Sequence, residues 1–281
     1  MPVRLYLPAQ AAAGEALPLV VFSHGIGGSR DGYSYLGRHF AARGYASLHV
    51  QHVGSDRQLW RGNPFGLVSR LTEAAQPAEA LARARDLSYA LDRLLELEQR
   101  GALGVRLDRA RIAAAGHSYG ANTTMLAAGA EVELEGRVLR MRDPRIRAAI
   151  LISAPPFYGW ADPAKIVAPV SIPTLHITAT GDEIRIPGYF SGVSDRIELY
   201  RAMGGATASK ALVVFKDGSH SMFTDRAGTG GVSLNPAVKL ATREAALAFL
   251  SGVFERNTAA LDRWQDRYRA LLSGFERSLR Q

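Results

Sequence analysis

The chain predicts an α/β fold, a mainly parallel central sheet with helices on both faces. Three observations carry this expectation. Short β-branched or apolar runs alternate with longer amphipathic stretches, the pattern of strands joined by crossover helices. One of these runs passes through Gly116-His-Ser-Tyr-Gly120 straight into an alanine-rich helix former. The 281 residues, 47% apolar and 21% charged, suffice for one large core without disulfide or metal staples.

Taken in order, strands are predicted at Val3 to Leu7, Leu19 to Ser23, Ala46 to Val50, Arg111 to Ala115, Ala148 to Ile152, Thr174 to Thr178 and Ala211 to Phe215. Helices are expected near Tyr33 to Arg43, Ala78 to Arg100, Tyr119 to Gly129, Ser194 to Met203 and Pro236 to Phe254. Gly54 to Gln76 holds Trp60, Pro64 and Phe65 without a clean period, and reads as a loop excursion near the active site. After Asn257 the apolar residues Leu261, Trp264, Tyr268, Leu271, Leu272, Phe275 and Leu279 recur every three or four positions. That spacing predicts one extra amphipathic helix over 257–281, docked on a catalytic domain formed by residues 1–256.

Composition narrows the function. The formal net charge is +8, and four lysines, Lys165, Lys210, Lys216 and Lys239, stand among 34 basic residues. These cations are strewn among Asp and Glu instead of clustering with stacking aromatics, so they read as solvated helix faces and no nucleic-acid partner is expected. The absence of cysteine removes disulfides, zinc–thiolate sites and a thiol nucleophile. Runs such as Leu17 to Phe22 fall far short of the roughly 18 residues a membrane-spanning helix needs, so no integral membrane contact is expected. No signal segment is visible at the start, and the expectation is a soluble protein, cytoplasmic or the mature form of an exported one, monomeric or homodimeric.

The Gly116 to Gly120 turn carries the chemistry. A serine on a sharp strand-to-helix turn projects its hydroxyl clear of the sheet, and its neighbours must be small because the turn brings backbones together. Ser118 is therefore the candidate nucleophile. A second turn, Ser23-His-Gly-Ile-Gly-Gly28, closes another predicted strand and supplies backbone donors. Acyl transfer develops an oxyanion, for which the amides of Tyr119 and Ile26 are the candidate donors. Read as a dinucleotide fingerprint, Gly25-x-Gly27 would need glycine at position 30, where Arg30 stands, and no P-loop motif occurs.

A serine needs a base, and the base a carboxylate that sets its tautomer. Of the seven histidines, only His220 follows the last predicted strand in a turn, Asp217-Gly-Ser-His220. His49 and His52 differ by three along a strand, on opposite faces, and no metal site is expected there. Asp182 follows the preceding strand and completes the chain order Ser, Asp, His. Asp162, Asp217 and the adjacent Glu183 are the other carboxylates in reach of this argument.

Together these residues resemble the α/β-hydrolase superfamily, more narrowly the predicted dienelactone hydrolases and platelet-activating-factor-acetylhydrolase-like esterases. The marks are Pro18-Leu-Val-Val-Phe-Ser-His-Gly-Ile-Gly-Gly28 with Asp31-Gly-Tyr33, Gly44-Tyr45, Gly116-His-Ser-Tyr-Gly120 and Gly218-Ser-His220, within Val3 to Phe254. The resemblance implies Ser118 as nucleophile, His220 as base, and the Ile26 and Tyr119 amides as the oxyanion hole. The chain departs from it twice. Dienelactone hydrolases proper use a cysteine nucleophile, which this chain lacks. The acetylhydrolases place their acid one strand earlier, where this chain has Ser153, so Asp182 is left as the acid.

The expected activity is serine carboxylic-ester hydrolysis through an acyl-enzyme, without a cofactor, on small-molecule or polymeric esters. Trp60, Phe157, Trp160, Met222 and Phe223 lie in segments expected at the C-terminal edge of the sheet and suggest an apolar substrate pocket. An amidase or peptidase with the same triad, and a non-catalytic binding module on a hydrolase fold, are the alternatives.

Overall fold

Strand residues that are apolar at every position need cover on both faces. In β2 (Ala16–Ser23), Leu19 and Val21 point to one core while Val20 and Phe22 point to the other. The same alternation runs through β4 (Arg106–His117), where Ile112 and Ala114 face one side and Ala113 and Ala115 the other. The computed structural model describes residues 1–10, 15–160, 162–186, 188–205 and 208–278.

The chain continues with α1 (Ser34–Ala41), β3 (Ala46–Val50), α2 (Leu67–Ala74), α3 (Pro77–Gln99) and, after β4, α4 (Tyr119–Ala128). Then come a hairpin, β5 (Glu131–Leu134) and β6 (Arg137–Arg140), followed by β7 (Ala148–Ile152), α5 (Pro163–Val167) and β8 (Thr174–Gly181). A second hairpin, β9 (Ile184–Ile186) and β10 (Tyr189–Ser191), leads to α6 (Val193–Ala202), β11 (Lys210–Ser219) and α7 (Leu234–Phe254). The chain closes with α8 (Ala260–Tyr268) and β12 (Leu272–Ser278). With β1 (Val3–Tyr6), eight strands form one sheet in the order β1-β3-β2-β4-β7-β8-β11-β12. The inner strands are parallel, and β1 and β12 add antiparallel edges. Helices α3 to α6 cover one face and α1, α7 and α8 the other, which is the α/β-hydrolase fold. Connections run outward in opposite directions from β2 and β4, so a crevice opens at their C-terminal ends.

The predicted strands and long helices all occur: β2, β4, β8, β11 and α7 are longer than predicted, and the others keep their predicted bounds to within two residues. The C-terminal expectation is corrected. The apolar stripe of residues 261–279 does not form one helix: α8 ends at Tyr268, a 3-10 turn spans Arg269–Leu271, and β12 pairs antiparallel with β11, Val213 opposite Phe275. The reason is the free edge of β11, whose unpaired amides and carbonyls reward a strand more than Ser273-Gly274 rewards a helix. Leu279 lies outside the described residues. In α8, Leu261, Trp264 and Tyr268 are buried, and the Trp264 indole N–H donates to the Ala241 carbonyl at 2.9 Å. The excursion at 54–76 contains α2 and two 3-10 turns, Arg57–Trp60 and Pro64–Gly66. Among the described residues no helix is long and apolar enough to cross a membrane.

Six histidines are buried: His24, His39, His49, His52, His117 and His176. Burial, reinforced by neighbouring cations, pulls His39 down to about 4, His49, His117 and His176 to about 3, and His24 and His52 well below the usual value. A folded-state pKa below the unfolded one means that the unfolded chain binds more protons between the two values, so stability falls as pH drops. Between pH 6.5 and 4 the protein is therefore expected to lose stability steeply. Urea unfolding at pH 5 should take up about six protons at histidine, read from the slope of stability against pH. A slope corresponding to one or two protons would contradict the buried neutral assignments.

Candidate active site

The site begins with a close approach of three backbones. Ser118 sits between β4 and α4 at φ 55° and ψ −126°, a conformation that costs an ordinary residue of order 1–3 kcal/mol. It is held by its own N–H donating to the Ile152 carbonyl at 2.8 Å and by its carbonyl accepting from the Ala121 N–H at 2.7 Å. The flanking glycines have no room for a side chain. A Cβ on Gly116 would lie 2.1 Å from the Gly120 carbonyl oxygen, and one on Gly120 would lie 2.0 Å from that of Ser23.

His220, in a 3-10 turn just after β11, reaches this serine across the sheet edge. Its Nε2 lies 2.7 Å from Ser118 Oγ, and its Nδ1 lies 2.7 Å from Asp182 Oδ1. With Asp182 ionised, Nδ1 donates and Nε2 accepts the serine proton. Asp182 follows β8 and is fully buried. Its second oxygen accepts from the Thr178 hydroxyl at 2.7 Å and lies 3.0 Å from Arg196 Nε. Burial alone would push the Asp182 carboxyl up, but His220 and Arg196 beside it outweigh that and hold it well below the usual carboxylate range.

The competing carboxylates go elsewhere. Asp162 caps α5 by accepting from the Ala164 N–H, Glu183 pairs with Arg185, and Asp217 occupies a left-handed turn at φ 50°. Ser153, the position the acetylhydrolase resemblance would use for the acid, is fully buried at the end of β7.

His117 ties His220 to the early loop. Its Nε2 lies 2.9 Å from the His220 carbonyl, which can only accept, so Nε2 carries the proton. Its Nδ1 then accepts from the Tyr33 hydroxyl at 2.9 Å, and that oxygen accepts from the Gly25 N–H at 3.2 Å. Burial and the nearby His220 keep His117 neutral. The sequence reading missed both partners. The signal for His117 was its place inside the Gly-His-Ser-Tyr-Gly turn.

The early loop is fastened from the excursion. Gly27 donates to the Ser55 carbonyl at 2.8 Å, and its own carbonyl accepts from the Trp60 indole at 2.7 Å. Gly27 has φ +67°, and a Cβ there would lie 2.5 Å from the Trp60 nitrogen. Ile26 packs against a small apolar cluster of Leu59, Leu71 and Ala74, joined by Ile186 of β9. Among the described hydrogen bonds neither the Ile26 nor the Tyr119 N–H has an acceptor.

Ser118 and His220 line a cavity of about 620 Å³ whose other walls include Ile26, Trp60, Phe157, Tyr158, Trp160 and Tyr189. Three of the expected pocket residues, Trp60, Phe157 and Trp160, are there. Met222 and Phe223 are not: both are fully buried in the core shared by α1, α7 and α8, because the turn that aims His220 at Ser118 drives the next residues inward. Tyr158 and Tyr189 take part instead, the latter from a hairpin with no clear signal in the sequence. Among the described residues no cluster of His, Asp or Glu has the arrangement of a metal site.

The family described as platelet-activating factor acetylhydrolase, isoform II, matches residues 3–57. That stretch runs from β1 through the early loop to the start of the excursion, and includes Ile26 but none of Ser118, Asp182 or His220. It supports an ester hydrolase of the α/β-hydrolase class. No curated protein matches the chain.

The packing of this turn makes a direct prediction. Gly120→Ala should lower stability by about 3 kcal/mol or prevent folding, since backbone must move to admit the methyl group. Gly252→Ala, inside α7 with its nearest neighbour 3.7 Å away, should instead stabilise by roughly 0.5–1 kcal/mol. Chemical denaturation of the two variants checks the contrast, and a Gly120→Ala protein of wild-type stability would refute it.

Proposed function

We propose that this chain is a serine carboxylic-ester hydrolase in which Ser118 is the nucleophile, His220 the general base and Asp182 the acid that orients it. The observation that carries the reading is the pair of 2.7 Å hydrogen bonds from Ser118 through His220 to Asp182, at the wall of an apolar cavity. His220 takes the Ser118 proton as Oγ attacks the ester carbonyl, and returns it to the leaving alcohol. The Ile26 and Tyr119 amides receive the developing oxyanion. Water then attacks the acyl-enzyme by the same route and releases the acid.

The aromatic walls favour esters with an apolar or aromatic part, a range that includes lipids and polyesters. Residues 1–256 supply every group the reaction uses, and the C-terminal segment braces the far face of the sheet.

The experiment is hydrolysis of a short p-nitrophenyl ester, with a fluorophosphonate label mapped by peptide mass. Wild type should turn over the ester and carry the label on Ser118. Ser118→Ala should lower kcat by roughly 10⁶ and lose the label. Asp182→Asn should cost about 10⁴ by favouring the wrong histidine tautomer. A folded Ser118→Ala protein that keeps its turnover, or a label on another residue, would end the reading.

A further inference from the structure

Helix α3 buries a full positive charge next to the site. Arg83 has no exposed surface and interrupts the apolar stripe of α3 between Ala80 and Leu87. Taking a guanidinium out of water is costly unless its donors are met, and here they are met by neutral oxygens. Its Nε donates to the Thr123 hydroxyl of α4 at 2.9 Å and its Nη1 to the Ser55 hydroxyl at 2.6 Å. Nη2 donates to the Ser23 hydroxyl at 3.3 Å and to the His24 carbonyl. The guanidinium carbon stands 4.5 Å from the centre of the Tyr119 ring. Burial draws Arg83 down to about 10, which leaves it charged at neutral pH.

The contacts fall on both walls of the oxyanion hole. His24 lies two residues before Ile26, and the Ser55 carbonyl holds the Gly27 N–H on the other side of Ile26. Thr123 and the Tyr119 ring belong to the first turns of α4, which begins with the Tyr119 N–H. One rigid fork thus spans from the loop that carries one donor to the helix that carries the other.

The charge is balanced at a distance. Ser23 Oγ lies 2.8 Å from His52 Nε2, and His52 Nδ1 lies 3.0 Å from Asp86 Oδ2. Burial and Arg83 hold His52 neutral, so Asp86 fixes its proton on Nδ1 and the Ser23 hydroxyl donates to Nε2. In this second Ser–His–Asp array Ser23 and His52 are fully buried, Asp86 is partly exposed, and none of the three lines a described cavity, so it is no second nucleophile. It connects Arg83 to the Asp86 carboxylate, and Glu79 is a second carboxylate whose charge reaches both Arg83 and Tyr119.

We propose that Arg83 is the positioning residue of the oxyanion hole, setting the distance between the Ile26 and Tyr119 donors and holding a fixed positive charge beside them. The inference rests on the esterase reading above. A negative charge that exists only in the tetrahedral transition state gains from this cation there and not in the Michaelis complex, so the signature lies in kcat and not in KM.

The test compares wild type, Arg83→Met and Arg83→Lys on a p-nitrophenyl ester and against an alkyl trifluoromethyl ketone, which forms a tetrahedral oxyanion adduct with serine. Arg83→Met should lower kcat by about 10²–10³, the scale of one lost oxyanion donor, with KM within about threefold. The ketone should weaken by a similar factor, and Arg83→Lys should recover part of both losses. A merely structural arginine would move none of these selectively. A folded Arg83→Met protein with wild-type kcat and ketone affinity, a loss confined to KM, or no recovery in Arg83→Lys would overturn the proposal. If Arg83→Met does not fold, Ser55→Ala and Thr123→Val each remove one contact and keep the charge. Each should then lower kcat by roughly threefold to tenfold at constant KM, and wild-type kinetics in both would overturn it. Failure of the esterase reading shows separately, as wild-type protein that neither turns over the ester nor takes the fluorophosphonate on Ser118.

Discussion

The contact between Gly120 and the Ser23 carbonyl is the constraint on which the rest of the site depends. It brings the end of β2 against the first turn of α4, and only a residue without Cβ permits it. Because β2 and β4 are neighbours in the sheet, the contact places the turn that carries Ser118 beside the loop that carries Ile26. The strained conformation of Ser118 follows from the same geometry and is held by hydrogen bonds to β7 and α4. Strain of this kind persists only where its surroundings over-determine it, and here three strands and a helix do so.

Around this contact several buried polar groups pair with one another. Asp182 has Thr178 and Arg196 besides His220, and His117 has Tyr33 and the His220 carbonyl. In a low-dielectric interior such bonds are strong, and the cost of breaking one is high, so the network fixes orientation more than it adds net stability. The His220 ring is thus held between Asp182 and Ser118, and its backbone is held by His117.

The cavity has a different basis. Its inner wall is made by the loops at the C-terminal edge of the sheet, whereas its outer wall comes from the 54–76 excursion and the β9–β10 hairpin, which share a small apolar cluster separate from the two large cores. Trp60 joins the two regions, since its indole N–H holds Gly27 while its ring lines the cavity. The cavity wall and the loop that carries Ile26 are therefore coupled through one side chain.

The sequence by itself determined the α/β class, the seven main strands and the five long helices, because those features rest on local periodicity and turn chemistry, and it named Ser118, Asp182 and His220, which lie within hydrogen-bond distance of one another in the fold. It also pointed to Ile26 and Tyr119, since a backbone donor is placed by the turn that contains it. The tertiary structure decided what depends on distant segments meeting. Met222 and Phe223 turned inward because His220 had to turn outward, and residues 272–278 became a strand because β11 offered an unpaired edge. Arg83 reads in sequence as a charge misplaced on an apolar helix stripe. Its partners Ser23, Ser55 and Thr123 lie 28 to 60 residues away, and no local pattern encodes a hydrogen bond across that span.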